Sequence, residues 1–238
     1  MSKKLHLVHL YPREMNIYGD NGNVQALEWR LERRGYDVRT HYIGTGDDLP
    51  EETDIIISGG GQDSGQSKVQ DDLQHKAKTL QAMRDDGVVM LAVCGMYQLL
   101  GHYFQTGSGE KIKGAEVLDI VTVAGSERLI GNIVLDSQYG QLVGFENHSG
   151  ETSLNTGVLP LGRVLSGAGN SRAADFEGAV AHNVFGTYLH GPIVPKNPRL
   201  ADELIVRALT RRYGISELEH IDDSLASKAA SVHAHRPR

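Results

Sequence analysis

Apolar positions in the first half of the chain fall into short runs separated by stretches of helical spacing, the pattern of strands joined by crossover helices. "KLHLVHL" (4–10) predicts an opening strand. In "DNGNVQALEWRLERRG" (20–35), Asp20, Asn21 and Asn23 offer caps, Val24, Leu27 and Leu31 share a face, and Gly35 stops the helix. "YDVRTHYI" (36–43) alternates as a second strand, and "DIIISGGG" (54–61) is a β-branched third strand ending in glycines. Residues 67–86 set Val69, Leu73, Ala77, Leu80 and Met83 along one helical face before Gly87, and "VVMLAV" follows as a fourth strand. An apolar-periodic stretch after residue 94 predicts a further helix, on which His102 falls.

The second half changes character. Short strand-like pieces at "VLDIVTVAG" (117–125), "RLIGNIVL" (128–135), "QLVGFEN" (141–147) and "AVAHNVFGTYLHG" (179–191) are divided by glycine-rich turns, predicting a mixed β extension. "PRLADELIVRALTRRYG" (198–214) starts on proline and ends on arginines, as both helix termini prefer. The expected fold is therefore α/β: an open, largely parallel sheet with helices on both faces and a mixed β extension. One domain spans 1–214, and 215–238 is expected to be a short, partly disordered tail.

Composition narrows the function. The net charge of −6 and the lack of a long basic run argue against nucleic acid or an anionic membrane as partner. No apolar stretch reaches the roughly 20 residues of a membrane span, and the first residues do not read as a secretory signal, so the protein is expected in the cytoplasm. Cys94, the single cysteine of the chain, has no internal disulfide partner, and no histidine spacing suggests a metal cage.

Cys94 is thus either packing or a nucleophile. It stands at the carboxyl end of a central strand, where ligands gather in open α/β sheets, and a helix amino terminus beside it would favour the thiolate. Gly95 keeps the turn open to a substrate. Of 11 histidines, His190, at a strand end before a glycine and a proline, is the strongest candidate base, with His148 as runner-up. The glycines of "SGGGQD" (58–63) and the Gly95 amide offer donors for an oxyanion.

Taken in order, "SGGGQD", "VMLAVCGMYQLLG", "FENHSG" and "GTYLHGP" resemble the class I glutamine amidotransferases of the cobyric acid synthase (CobB/CobQ) branch. "LYPREMNIYGDNGNVQAL" is similar to the GatD family, the glutaminase subunits of lipid II isoglutaminyl synthases. The resemblance covers about residues 4–213 and implies the flavodoxin-like sheet. It implies that Cys94 attacks the glutamine carboxamide, that the Gly60 and Gly95 amides hold the oxyanion, and that His190 moves the proton. Arg128 in "SERLIGN" would bind the substrate carboxylate, and Gln98, one turn past the thiol, would face the same pocket. The glutamate that many relatives carry two positions after the histidine is replaced by Pro192, leaving Glu146 or Asp20, or a carbonyl, to orient His190. Met96 would narrow the pocket. The resemblance further implies no cofactor in this chain, with ATP used by a Mur ligase-like subunit, MurT. That partner would receive ammonia from L-glutamine and amidate D-glutamate of lipid II. The alternatives are a cobyric acid-like acceptor, or a DJ-1-like or peptidase-like cysteine hydrolase.

Overall fold

The computed structural model describes residues 3–61 and 63–235, apart from the side chains of Asp63 and Ser64. Gln62 of "SGGGQD" and the last residues of the tail lie outside the described residues. Strands β1 (Lys4–Leu10), β2 (Asp37–Ile43), β3 (Ile55–Ser58) and β4 (Val89–Val93) alternate with helices α1 (Asn21–Glu32) and α2 (Asp63–Asp85). After the short α3 (Gly95–Leu99) come β5 (Tyr103–Gln105), β6 (Lys111–Lys113), β7 (Ile120–Ser137), β8 (Gly140–Leu154), β9 (Gly162–Ser166), β10 (Phe176–Glu177), β11 (Ala179–Ala181) and β12 (Val184–Thr187). Helices α4 (Ile193–Lys196), α5 (Pro198–Tyr213) and α6 (Ser224–Ala234) complete the described chain.

The first sheet has the order β11-β12-β4-β3-β1-β2, parallel except for the edge strand β11. Its central members β3, β4 and β12 are buried along their whole length, which is why they read as unbroken apolar runs rather than alternating ones. The second sheet has the order β10-β9-β7-β5-β6, with β8 paired on β7. Its spine is the long antiparallel pair of β7 and β8. The strands expected at 117–125 and 128–135 are one strand, β7, whose register against β8 breaks between Ala124 and Leu129. Such an irregularity bends a strand and redirects its side chains without ending it.

The two sheets meet at the end of β12. His190 and Phe145 form an isolated antiparallel bridge, the His190 N–H donating to the Phe145 carbonyl at 2.9 Å and the Phe145 N–H returning a bond of 3.2 Å. The whole second sheet is thus an excursion between β4 and β12, which are hydrogen-bonded neighbours.

Two local expectations differ from the structure. Helix α3 is only one turn and stops at Leu99, so His102 precedes β5 outside any helix and pairs with Asp119 at 2.7 Å. Within 215–238, expected as a short, partly disordered tail, α6 lies against the body. The buried Arg30 guanidinium of α1 grips Asp223, just before α6, at 2.6 and 3.0 Å and Asp202 of α5 at 2.8 Å, and His233 Nε2 donates to the Gly144 carbonyl at 2.7 Å. These anchors are far away in sequence, so the local pattern carries no sign of them. Among the described residues, no helix is long and apolar enough to cross a membrane.

Removing Arg30 strands two carboxylates that keep partial access to water. Arg30→Ala is expected to lower stability by about 2–3 kcal/mol, read by urea denaturation; an unchanged midpoint would show that α6 is held otherwise.

Candidate active site

Cys94 follows β4 with φ +52° and ψ −108°, a backbone conformation that costs a non-glycine residue energy and that recurs at functional turns. Its N–H donates to the Thr187 carbonyl of β12 at 2.8 Å, and its carbonyl accepts from the Gln98 N–H at 3.0 Å. The neighbouring residues must be small. A Cβ on Gly60 would stand 2.8 Å from His190 Cε1 and 3.3 Å from Cys94 Cβ, and one on Gly95 would stand 2.9 Å from the Gly61 carbonyl oxygen. The glycine turn after β3 therefore packs against both Cys94 and the His190 imidazole through positions that leave no room for a side chain.

A cavity of about 370 Å³ opens over this point, lined among others by Cys94, Gly61, Gln98, Arg128, His148 and Tyr18. Arg128 sits at the register break of β7, and its Nε donates to Asn147 Oδ1 of β8 at 2.6 Å. Its guanidinium is exposed and faces the cavity, a cation for an anionic group. Gln98 is buried and held from both sides, its Oε1 accepting from Gln66 Nε2 at 2.7 Å and its Nε2 donating to the Tyr188 hydroxyl at 3.3 Å.

His190 is fully buried, and neither ring nitrogen has a hydrogen-bond partner among the described residues. Packing fixes its plane instead: the Tyr18 ring lies 4.2 Å from it, tilted by 49°, with Gly60 against Cε1. Burial, followed by the nearby His148 and Arg128, pushes its pKa down to about 3, so the ring is neutral at ordinary pH. His148, mid-strand rather than at a strand end, stacks on Tyr188 at 3.6 Å, and its Nδ1 donates to the Gly150 carbonyl at 2.8 Å. Burial lowers it to about 4.

Several expectations change here. Glu146 does not reach His190: its oxygens accept the Ala168 and Gly169 N–H groups at 2.9 Å. Asp20 accepts the Gly60 N–H at 2.8 Å, so neither acid hydrogen-bonds to the histidine and the Gly60 amide is already engaged. Met96 is buried in the core and is not part of the cavity wall. The structure places Cys94, Arg128 and Gln98 on the cavity, with Gly95 next to Cys94 in the chain and Gly60 packed against both Cys94 and the His190 ring. No cluster of three metal-ligating side chains occurs among the described residues.

The chain matches the CobB/CobQ-like glutamine amidotransferase domain over residues 6–198. It is 40% identical, over 97% of its length and 91% of the relative's, to the lipid II isoglutaminyl synthase (glutamine-hydrolyzing) subunit GatD of Streptococcus pneumoniae. The corresponding Staphylococcus aureus subunit is 36% identical over 96% of this chain and 94% of that protein. The chain belongs to the GatD branch of the CobB/CobQ-like glutamine amidotransferases. Its fold is that of the solved structure of PurLQS from Thermotoga maritima, with a TM-score of 0.59 at 15% identity, covering 88% of this chain and all (100%) of that one.

Several residues lining this cavity or braced against it carry no clear signal in the sequence. Tyr18 lay inside "YGDNGN" and Asn147 inside "FENHSG", both quoted as motifs without a role. Gln66, which also donates to the Gly95 carbonyl at 3.0 Å, had no local signal at all.

The depressed histidine has a stability consequence. Below the unfolded pKa of 6.5 the unfolded chain takes up a proton that folded His190 refuses until about pH 3. The wild-type chain should therefore lose stability relative to His190→Gln as pH falls from 6.5 towards 3. Denaturation curves at several pH values measure this, and parallel pH dependences would contradict it.

Proposed function

We propose that this chain is the glutamine-hydrolysing subunit of a lipid II isoglutaminyl synthase, which releases ammonia from L-glutamine for an ATP-dependent partner. The observation that carries the reading is the strained elbow at Cys94 sharing a cavity with Arg128, with His190 packed beside it. Family membership adds the substrate class, because the two curated relatives named above are glutamine-hydrolysing subunits.

The chemistry follows from the geometry. Glutamine's α-carboxylate pairs with the Arg128 guanidinium, which lays the side-chain amide towards the thiol, and Gln98 lines the same path. Neutral His190 takes the Cys94 proton, the sulfur adds to the carboxamide carbon, and the carbonyl electron pair moves to oxygen beside the Gly95 N–H and the glycine turn. His190 then gives its proton to the departing nitrogen, and the C–N bond breaks to leave a thioester and ammonia. A water deprotonated by the same ring cleaves the S–C bond and yields glutamate.

Substrate binding itself helps this cycle. The positive charge of Arg128 disfavours the imidazolium of His190, and a carboxylate seated on Arg128 cancels that effect. The Arg128 contribution is thereby relieved once glutamine is in place, while burial, the larger cause, remains. We assign no cofactor to this chain. The ammonia acceptor is the D-glutamate carboxylate of lipid II, activated with ATP by a Mur ligase-like MurT subunit in a heterodimer in the cytoplasm.

Ammonia release from L-glutamine, measured with the ligase partner present, tests the reading. Cys94→Ser should abolish it, and normal turnover by that variant would remove Cys94 as nucleophile. Arg128→Ala should raise KM on the order of 10- to 100-fold with a smaller change in kcat, because a charge-assisted pair contributes roughly 1.5–3 kcal/mol. An unchanged KM would take Arg128 out of the substrate site.

A further inference from the structure

The segment between β1 and α1 grips the glycine turn from several directions. The Ile17 N–H donates to the Gly60 carbonyl at 3.1 Å, and Asp20 Oδ2 accepts the Gly60 N–H at 2.8 Å. Gly59 and Gly61 fit only as glycines beneath the same segment: a Cβ on Gly59 would collide with the Asp20 side chain, and one on Gly61 with Met15 Sδ. Asp20 is fully buried, and its other oxygen, Oδ1, has no hydrogen-bond partner among the described residues. Burial raises the carboxyl to about 6, so keeping a charge there is costly. A residue serving only as a helix cap would be better placed in water.

The orientation of one peptide plane supplies its use. In a trans peptide the N–H and C=O point in opposite directions. With the Gly60 carbonyl turned to Ile17, the Gly61 N–H is turned away from it. Gly61 lines the cavity that contains Cys94, and its nitrogen would stand 3.0 Å from a Cβ on Gly95. The amides of Gly61 and Gly95 are thus neighbours, whereas the Gly60 amide is committed to Asp20.

We propose that Asp20 is a positioning residue for amide hydrolysis, its carboxylate and the Ile17 N–H together fixing the Gly60 peptide groups so that the Gly61 N–H, beside that of Gly95, faces the oxygen that becomes negative when Cys94 attacks. The proposal rests on the glutaminase reading and replaces Gly60 by Gly61 as oxyanion donor. A charge-assisted acceptor is suited to the task, because a donor aimed in advance pays no reorganisation when charge develops.

The test uses Asp20→Ala and Asp20→Asn in the chain with its ligase partner, with two readouts. One is steady-state ammonia release. The other is inhibition by L-glutamate γ-semialdehyde, whose carbonyl carbon bonds to the Cys94 sulfur while its oxygen takes the thiol proton, giving a tetrahedral adduct that reports the oxyanion site. Asp20→Ala should lower kcat on the order of 100-fold with KM within about twofold, the loss of one oxyanion donor. Asp20→Asn, which keeps an acceptor for the Gly60 N–H but not the charge, should lose about tenfold. The affinity for the aldehyde should fall in parallel in both variants, while alkylation of Cys94 by iodoacetamide is unchanged. Wild-type kcat in Asp20→Asn overturns the proposal even if Asp20→Ala does not fold, and so does a fall in kcat with undiminished aldehyde affinity or with loss of alkylation. A wild-type complex that neither hydrolyses glutamine nor captures the aldehyde would instead overturn the glutaminase reading.

Discussion

The hydrogen bond from the Cys94 N–H to the Thr187 carbonyl ties the Cys94 backbone to β12, and the remaining geometry of the site depends on it. It continues the parallel pairing of β4 with β12 by one residue beyond Val93 and Thr187. At that point β4 turns sharply, with Cys94 at φ +52°, while the chain beyond β12 continues through Tyr188 and Leu189 to His190. The backbone of Cys94 is therefore placed directly by sheet register, and His190 follows three residues beyond the same register. A second constraint comes from the other sheet, where the Phe145 bridge fixes the His190 backbone, and a third from Tyr18 and Gly60, which fix its ring.

Electrostatics and packing act together at this junction. His190 is kept neutral by the apolar shell that orients it, with His148 and Arg128 adding to the effect. The buried Glu177 extends the same design: it accepts the Tyr188 N–H at 2.6 Å and the Thr187 hydroxyl at 3.0 Å, pinning the strand end that leads to the histidine, and burial raises its pKa to about 8. Burial thus disfavours the charged form of both titratable side chains near this strand end, the Glu177 carboxyl and the His190 imidazole.

The parts of this arrangement that were legible in the sequence are those encoded by local pattern. The apolar runs of β1, β3 and β4, the helical faces of α1 and α2, and the proline and glycine that bound α5 each announce themselves within a dozen residues. Cys94 and His190 were found because both stand where an apolar run meets turn-forming residues. The rest was hidden for identifiable reasons. Gly125 and the polar residues after it look like a strand boundary, yet they span a register break inside β7 beside which Arg128 lines the cavity. Helix α6 buries no residue of its own and is secured by Arg30 from the other end of the chain. Asp20 looked like a helix cap or a partner for histidine, and only its distance to the Gly60 amide gives it a different place.

The excursion from β4 to β12 has one more consequence. Its two ends are locked to each other in the first sheet, so the chain between them forms a closed loop whose anchor points do not depend on what it contains. Enlarging such a loop costs little entropy, since closure rises only with the logarithm of length. The outer strands of the second sheet, away from the Phe145 bridge and Arg128, are consequently free to diverge without changing the spacing of sulfur and imidazole. The fold separates the part of the chain that must stay fixed for chemistry from a part that can be remodelled to suit whatever receives the product.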